Sequence, residues 1–294
     1  MEFIAAKTIL SGYSHGDSWF GCNYNMNIYR GCNHGCIYCD SRSECYHVEN
    51  FDEVKAKENT LLLLTQELKS KRKKGVVTTG AMSDPYNPYE AEYKLTRGAL
   101  ELIHKYGFGA SVLTKSDLVT RDIDVLAKIK EHSPAMAKLT ITTYDDELCK
   151  KIEPNVSVTS RRFAALNELA QAGIFTGIHM WPLLPYINDT EENIKQIIKA
   201  AAENGASFVS PYFGLTLRQN QRLYFYQQLD RFFPGTKQKY ISTYGDKYEC
   251  ISVHKNELWQ VFKTECARYG LLYKMSDIRE AFKSSYENKQ MTMF

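Results

Sequence analysis

The sequence predicts a β/α architecture, either a barrel or an open sheet, followed by a helical extension. Three observations carry that expectation. Short β-type runs alternate with amphipathic helical runs between residues 24 and 214, no internal repeat or low-complexity stretch breaks the alternation, and the rhythm stops after Gly214. Parallel strands need a long crossover between them, and the helical runs supply one.

In chain order, "YNMNIYR" (24–30) reads as the first strand, and "NTLLLLTQELKSKRKK" as a helix leading to a β-branched strand, "GVVTTG" (75–80). "KLTRGALELIHKYG" is the next helix, followed by the strands "GASVLTK" (109–115) and "KLTITTY" (138–144). In "SRRFAALNELAQAG", Phe163, Leu166 and Leu169 share a face, and Gly173 sits where a helix C-terminal cap belongs. "GIFTGIHMW" (173–181) is the fifth strand. The helix in "NDTEENIKQIIKAAAENG" can start on Asp189 or Thr190, with Glu192 at capping-box spacing from Asp189, and "ASFVSPYFG" (206–214) is the sixth strand. Beyond it, "RQNQRLYFYQQLDRFF" and "KNELWQVFKTECARYG" are helical, so residues 215–294 form an extension expected to pack on a domain of residues 1–214.

Composition narrows the function classes. At 294 residues and 44% hydrophobic, the chain can bury a sizeable core. No run approaches the ~18 apolar residues of a membrane span, and the start "MEFIAAKTILSGYSHGD" lacks a secretory signal. Eight cysteines without such a signal read as cytoplasmic thiols rather than a disulfide framework. A net charge of +3 advertises no polyanionic partner, and the basic run "KSKRKKG" (69–75) reads as a solvated helix end.

The most informative stretch is "NIYRGCNHGCIYCDSRSECYH". Cys32, Cys36 and Cys39 can reach one small metal cluster from a single loop, with Gly31 and Gly35 letting the backbone fold tightly around it. Three thiolates leave one iron of a 4Fe–4S cubane without a protein ligand. A zinc site would need a fourth ligand from His34, Cys45 or His47, and the two separated ligand pairs usual in zinc modules are not visible. In a β/α barrel reactive groups gather at the carboxyl ends of strands, where "TTGAMSDPYNPY", "LTKSD", "TTYDD" and "WPLLPYIND" also fall.

"CNHGCIYC" resembles the signature of the radical S-adenosylmethionine (SAM) superfamily, including the aromatic residue before the third cysteine. With "TTGAMSDPYNPYE", "LTKS" and "ITTYDDELCKKIEPNVSVTSRRFAALNELAQAG", residues 24–215 resemble its spore photoproduct lyase-related branch. The resemblance implies a partial (β/α)6 TIM-like barrel, a 4Fe–4S cluster on Cys32, Cys36 and Cys39, and S-adenosylmethionine on the open iron. It also implies reductive cleavage of the cofactor to a 5′-deoxyadenosyl radical that abstracts hydrogen from substrate, with electrons from a flavodoxin- or ferredoxin-type donor. By the same resemblance Tyr38 packs near the cofactor, Ser83 and Asp84 contact its methionine end, Lys115 faces its carboxylate, and Thr142 and Thr143 lie near the ribose. Each of these residues also has a local reading, as a turn, a cap or an exposed loop lysine.

Two positions depart from the lyase pattern. Asp40 stands where the lyase has a tyrosine after the third cysteine, and Ala81 where it has a hydrogen-donating cysteine. A radical enzyme on a nucleic acid, nucleotide or peptide, a lyase-like DNA repair enzyme, and a non-enzymatic iron–sulfur or zinc module are the readings in play. Cys45 and Cys22 are the other thiols near the motif. His179 and Trp181, on the fifth strand, read either as cavity lining or as a satisfied core pair.

Overall fold

In the computed structural model, residues 1–13 and 19–290 are described. Six strands form one parallel array in chain order: β1 (Tyr24–Met26), β2 (Val76–Thr79), β3 (Gly109–Thr114), β4 (Ala135–Thr140), β5 (Phe175–Met180) and β6 (Phe208–Pro211). Each pairs in parallel with its neighbour, and Leu10–Gly12 adds an antiparallel edge to β1. β1 and β6 are not bonded to each other, so this is the expected partial barrel, open on one side. The crossovers are α1 (Thr60–Ser70), α2 (Leu95–Lys105), α3 (Ile123–Lys130), α4 (Thr159–Gln171) and α5 (Glu191–Glu203).

Alternation along the strands separates two layers. Val77, Val112, Ala137, Leu139, Ile178 and Val209 face the helices and join Leu64, Leu126, Leu166 and Ile197 in the main core. The residues between them face the lumen, where Val76, Met136, Phe175 and Phe208 pack with Phe20 and Cys22 from the segment before β1. A further core lies beneath the cysteines, built from Ile37, Tyr38 and Leu184 together with Leu215, Phe225, Leu229 and Tyr240 from beyond Gly214.

After β6 come α6 (Gln219–Phe232), α7 (Thr236–Tyr244), α8 (Lys255–Tyr269) and α9 (Met275–Gln290), with a two-stranded ribbon joining Gly214–Thr216 to Glu249–Ile251. No helix among the described residues is long and apolar enough to cross a membrane.

Two local expectations need correction, and one open alternative is decided. The run 24–30 is two strands: after β1 the chain leaves the barrel, and Tyr29–Arg30 pairs with Lys55–Lys57 in a small separate sheet. Buried side chains on both pieces make them read as one apolar run, so sequence pattern does not reveal the change of partner. β4 begins at Ala135 and ends at Thr140, because its alanines are poor strand signals that burial overrides. Finally, Thr190 caps α5 by accepting a hydrogen bond from the Asn193 N–H (3.2 Å), while Asp189 accepts from the Tyr186 N–H and the Ser252 hydroxyl.

Candidate active site

The cysteine loop begins where Arg30 ends the small sheet. Gly31 (φ +76°) and Gly35 (φ +68°) adopt left-handed backbone. A Cβ on Gly31 would run into the Glu53 and Phe51 carbonyls, so close approach as well as φ demands glycine there. The Cys32 N–H donates to Phe51 O (2.8 Å) and the Ile37 N–H to Ile152 O (3.0 Å), pinning the loop at two points.

The three thiols lie within electrostatic reach of one another. Burial pushes all three up, Cys32 to about 11 with Asp84 adding to the rise, and each of Cys32 and Cys36 is raised further by its neighbouring thiols. The Cys36 thiol is buried and those of Cys32 and Cys39 are half-buried, a soft donor set suited to a metal centre. Among the described residues no fourth ligand joins them. Cys45 is exposed and receives the Arg218 guanidinium (3.2 Å), His47 is exposed, and the buried His34 faces Asp84 at 3.7 Å. Among the described residues no three His, Cys, Asp or Glu side chains converge as one ion requires. In a cluster each thiolate meets a different iron, so three separated sulfurs fit that group.

Two buried carboxylates clamp the loop from either side. Before the cysteines, the Tyr29 hydroxyl donates to Glu90, which also accepts from the Thr96 N–H (2.9 Å) and from Arg121 (3.0 Å). Within the motif, the Tyr38 hydroxyl donates to Glu153, which is paired with Arg162 at 2.7 Å, both side chains having no exposure. Arg162 also donates to the carbonyls of Ser157 (2.6 Å) and Thr140 (2.7 Å), tying the motif to the end of β4. Burial opposes ionisation of Glu153, but Arg162 and Lys115 outweigh it and hold the carboxyl below its ordinary value. Sequence reading missed Glu90, Arg121, Glu153 and Arg162. A signal existed for Arg162, which sits one helical turn before Leu166 on the apolar stripe of α4, where a charge needs a buried partner.

The other expected residues are placed as follows. Asp84 accepts from the Thr114 hydroxyl (2.6 Å), the Lys115 N–H (2.8 Å) and the Tyr86 N–H (2.9 Å), so its carboxylate joins the loop after β2 to the end of β3. Ser83 donates to the Gly31 carbonyl at the start of the cysteine loop. Lys115 extends from the end of β3 with its ammonium 5.8 Å from the Tyr38 ring centre. Burial lowers its pKa, but Cys36, Glu153 and Asp84 more than offset this and hold it above its ordinary value. These residues surround the thiols.

Thr142 and Thr143 lie just past β4, and no hydrogen bond among the described residues joins them to the cysteine loop. The Thr143 hydroxyl accepts from the Asp145 N–H (3.2 Å), whereas the buried Thr142 hydroxyl has no partner. Asp40 turns toward the region after β6, accepting from Thr216 (3.1 Å) and Tyr46 (2.8 Å) with Arg218 alongside (3.3 Å), and Ala81 is exposed.

Comparison with known proteins identifies the family and the fold. The family model described as the radical SAM superfamily matches residues 26–209. An uncharacterized protein of Mycobacterium tuberculosis is 30% identical over 228 residues, which is 75% of this chain and 67% of that protein. One from Methanocaldococcus jannaschii is 37% identical over 174 residues, 58% of this chain and 64% of that protein. Among solved structures, a spore photoproduct lyase complexed with dinucleoside spore photoproduct superposes with a TM-score of 0.65 at 15% identity, covering 86% of this chain and 76% of that one. A mutant lyase with bound AdoMet and the same photoproduct gives 0.64 at 14% identity, covering 91% and 79%. At that identity the likeness is one of fold.

Proposed function

This chain belongs to the radical SAM superfamily, and from that premise we propose that it is a radical enzyme whose Cys32, Cys36 and Cys39 hold a 4Fe–4S cluster. The observation that carries the reading is the trio of neighbouring thiols, Cys36 buried and Cys32 and Cys39 half-buried, with no fourth cysteine or histidine joining them among the described residues and with Lys115, Asp84 and Tyr38 around them. When bound, the cluster and S-adenosylmethionine supply reductive cleavage of the cofactor and a 5′-deoxyadenosyl radical able to take hydrogen from substrate.

The chain's own residues position and neutralise. Lys115 offers its ammonium to the carboxylate of the cofactor's methionine end, and Asp84 positions Lys115 by accepting its backbone N–H. Ser83 fixes Gly31 through its hydrogen bond and retains acceptor capacity for the methionine amino group. Tyr38, anchored on Glu153, gives the pocket a wall that does not move. Thr142 brings a free hydroxyl and Thr143 a partly used one toward the ribose. A flavodoxin- or ferredoxin-type protein supplies the electrons. Substrate is a small molecule, a nucleotide, a nucleic acid or a peptide segment.

This reading stops short of photoproduct repair. Ala81 has no thiol, and the Asp40 carboxylate is occupied by Thr216, Tyr46 and Arg218. Neither returns a hydrogen atom to a substrate radical.

Anaerobic reconstitution tests the proposal. Iron and sulfide analysis with electron paramagnetic resonance is expected to find one 4Fe–4S cluster per chain, and dithionite is expected to drive release of 5′-deoxyadenosine from S-adenosylmethionine. Stoichiometric zinc in place of iron in anaerobically isolated protein overturns it. In the same assay Lys115→Met is expected to bind S-adenosylmethionine about ten- to a hundred-fold more weakly, the effect of losing one charge-assisted hydrogen bond. Parent-like affinity removes Lys115 from the site.

A further inference from the structure

The lumen of the partial barrel holds a second group of side chains that the reading above does not use. Strand register places Leu113, Lys138, Gly177 and Phe208 in one lumen-facing row, with Thr140, His179 and Ser210 in the row above, nearer the carboxyl ends. Lys138 is 3% exposed. Its ammonium touches only neutral groups: it donates to the Ser111 hydroxyl, approaches the Met136 sulfur (3.7 Å) and lies 4.6 Å from the centre of the Phe20 ring. No carboxylate among the described residues pairs with it. Burial pushes it down to about 8, and the nearby Cys22 thiol is the one group that favours its charge. Lys115, by contrast, is balanced by Glu153, Asp84 and the thiols.

Above Lys138 an aromatic wall follows the open side. The His179 and Trp181 rings stack at 4.9 Å, the Trp19 ring lies 4.7 Å from Trp181 and 5.3 Å from His179, and Tyr212 lies 4.9 Å beyond Trp181. His179 Nδ1 and Trp181 Nε1 are buried without a protein hydrogen-bond partner. His179 and Trp181 are thus a stacked ring pair whose two named nitrogens have no protein hydrogen-bond partner among the described residues. His179, 6% exposed, is kept neutral by burial and then by Lys138 and Lys115, pushed to about 3. Burying an ammonium with no carboxylate partner among the described residues is costly, and a bound anion offsets that cost.

We propose that Lys138, His179 and Trp181 form a selective ligand subsite in the lumen, taking a planar ring against His179 and Trp181 with an anionic oxygen group, carboxylate or phosphate, directed to Lys138. That this ligand is the substrate rests on the radical-enzyme reading; the binding itself does not. The ring supplies area to the aromatic wall, and the anion supplies a counter-charge to Lys138 and accepts from the Trp181 indole N–H.

The test is a ligand-observed nuclear magnetic resonance titration of the reconstituted protein with benzoate, phenyl phosphate and neutral benzamide. Saturable binding of one anionic probe, at least ten-fold tighter than benzamide, is expected, and whichever anion binds better identifies the group. Equal binding of all three, or no saturable binding of either anion, overturns the proposal without any variant. Lys138→Met is expected to lose the anion preference and also to raise the melting temperature, because it removes an unpaired buried charge. A lowered melting temperature with unchanged probe affinity would mark Lys138 as a structural lysine and sink the assignment. 5′-Deoxyadenosine release is measured on the same samples. Release without anion binding defeats this inference and leaves the radical reading standing, while binding without release does the reverse.

Discussion

Replacing Arg162 by methionine is expected to lower folding stability by about 3–5 kcal/mol, the cost of stranding a buried carboxylate by removing its partner. Arg162 and Glu153 are both without side-chain exposure, and the guanidinium also satisfies the Ser157 and Thr140 carbonyls. Methionine fills much of the volume but leaves Glu153 and both carbonyls short of donors. The sign of the pH dependence separates this account from simple loss of packing. In the parent, Glu153 is held below its ordinary value, so its contribution is complete above the unfolded carboxylate range and lost as pH falls through the folded value. In Arg162→Met the carboxyl is buried with less counter-charge, its pKa rises, and the deficit relative to the parent is expected to shrink on acidification. Urea unfolding of both proteins at pH 7 and pH 5 checks this. A deficit that stays constant or grows toward pH 5 refutes the electrostatic account. Since Glu153 anchors Tyr38, the variant is also expected to reconstitute poorly.

The second large effect is on metal content. Cys36→Ser is expected to abolish cluster retention and all 5′-deoxyadenosine release while leaving the metal-free fold close to intact, because serine fits the space of the thiol. Cys36 is the most deeply buried of the three thiols, and its neighbouring loop atoms are pinned by the Ile37 bond to Ile152. Cys266→Ser provides the comparison, since that thiol lies in the main core among the helices. It is expected to lose some stability and to keep a full iron complement. Parent-like iron in Cys36→Ser, or loss of iron in Cys266→Ser, would show that the wrong thiols had been assigned.

How much of this was legible beforehand differs by element. β2, β3, β5 and β6 sit within one to three residues of their expected bounds, because β-branched and aromatic runs between helices leave little ambiguity. The stretch 24–30 misled, since apolar pattern reports burial and not the identity of the partner strand. Asp84 was expected to serve a ligand, and the structure shows its carboxylate linking Thr114 and Lys115. His179 and Trp181 were ambiguous in sequence. The structure shows their rings stacked, with one nitrogen of each lacking a protein partner.

By itself the sequence determined the alternation of strands and helices and the Cys-x3-Cys-x2-Cys loop with its flanking glycines. These are set by short-range chemistry, by side-chain period, crossover length and the backbone freedom of Gly31 and Gly35. Tertiary structure alone decided that Glu90 and Glu153 clamp the loop from two sides, that Asp40 turns toward the segment after β6, and that Lys138 lies in the lumen with no carboxylate partner among the described residues. Each of those outcomes depends on partners tens of residues away in the chain, and a buried charge is defined by what surrounds it.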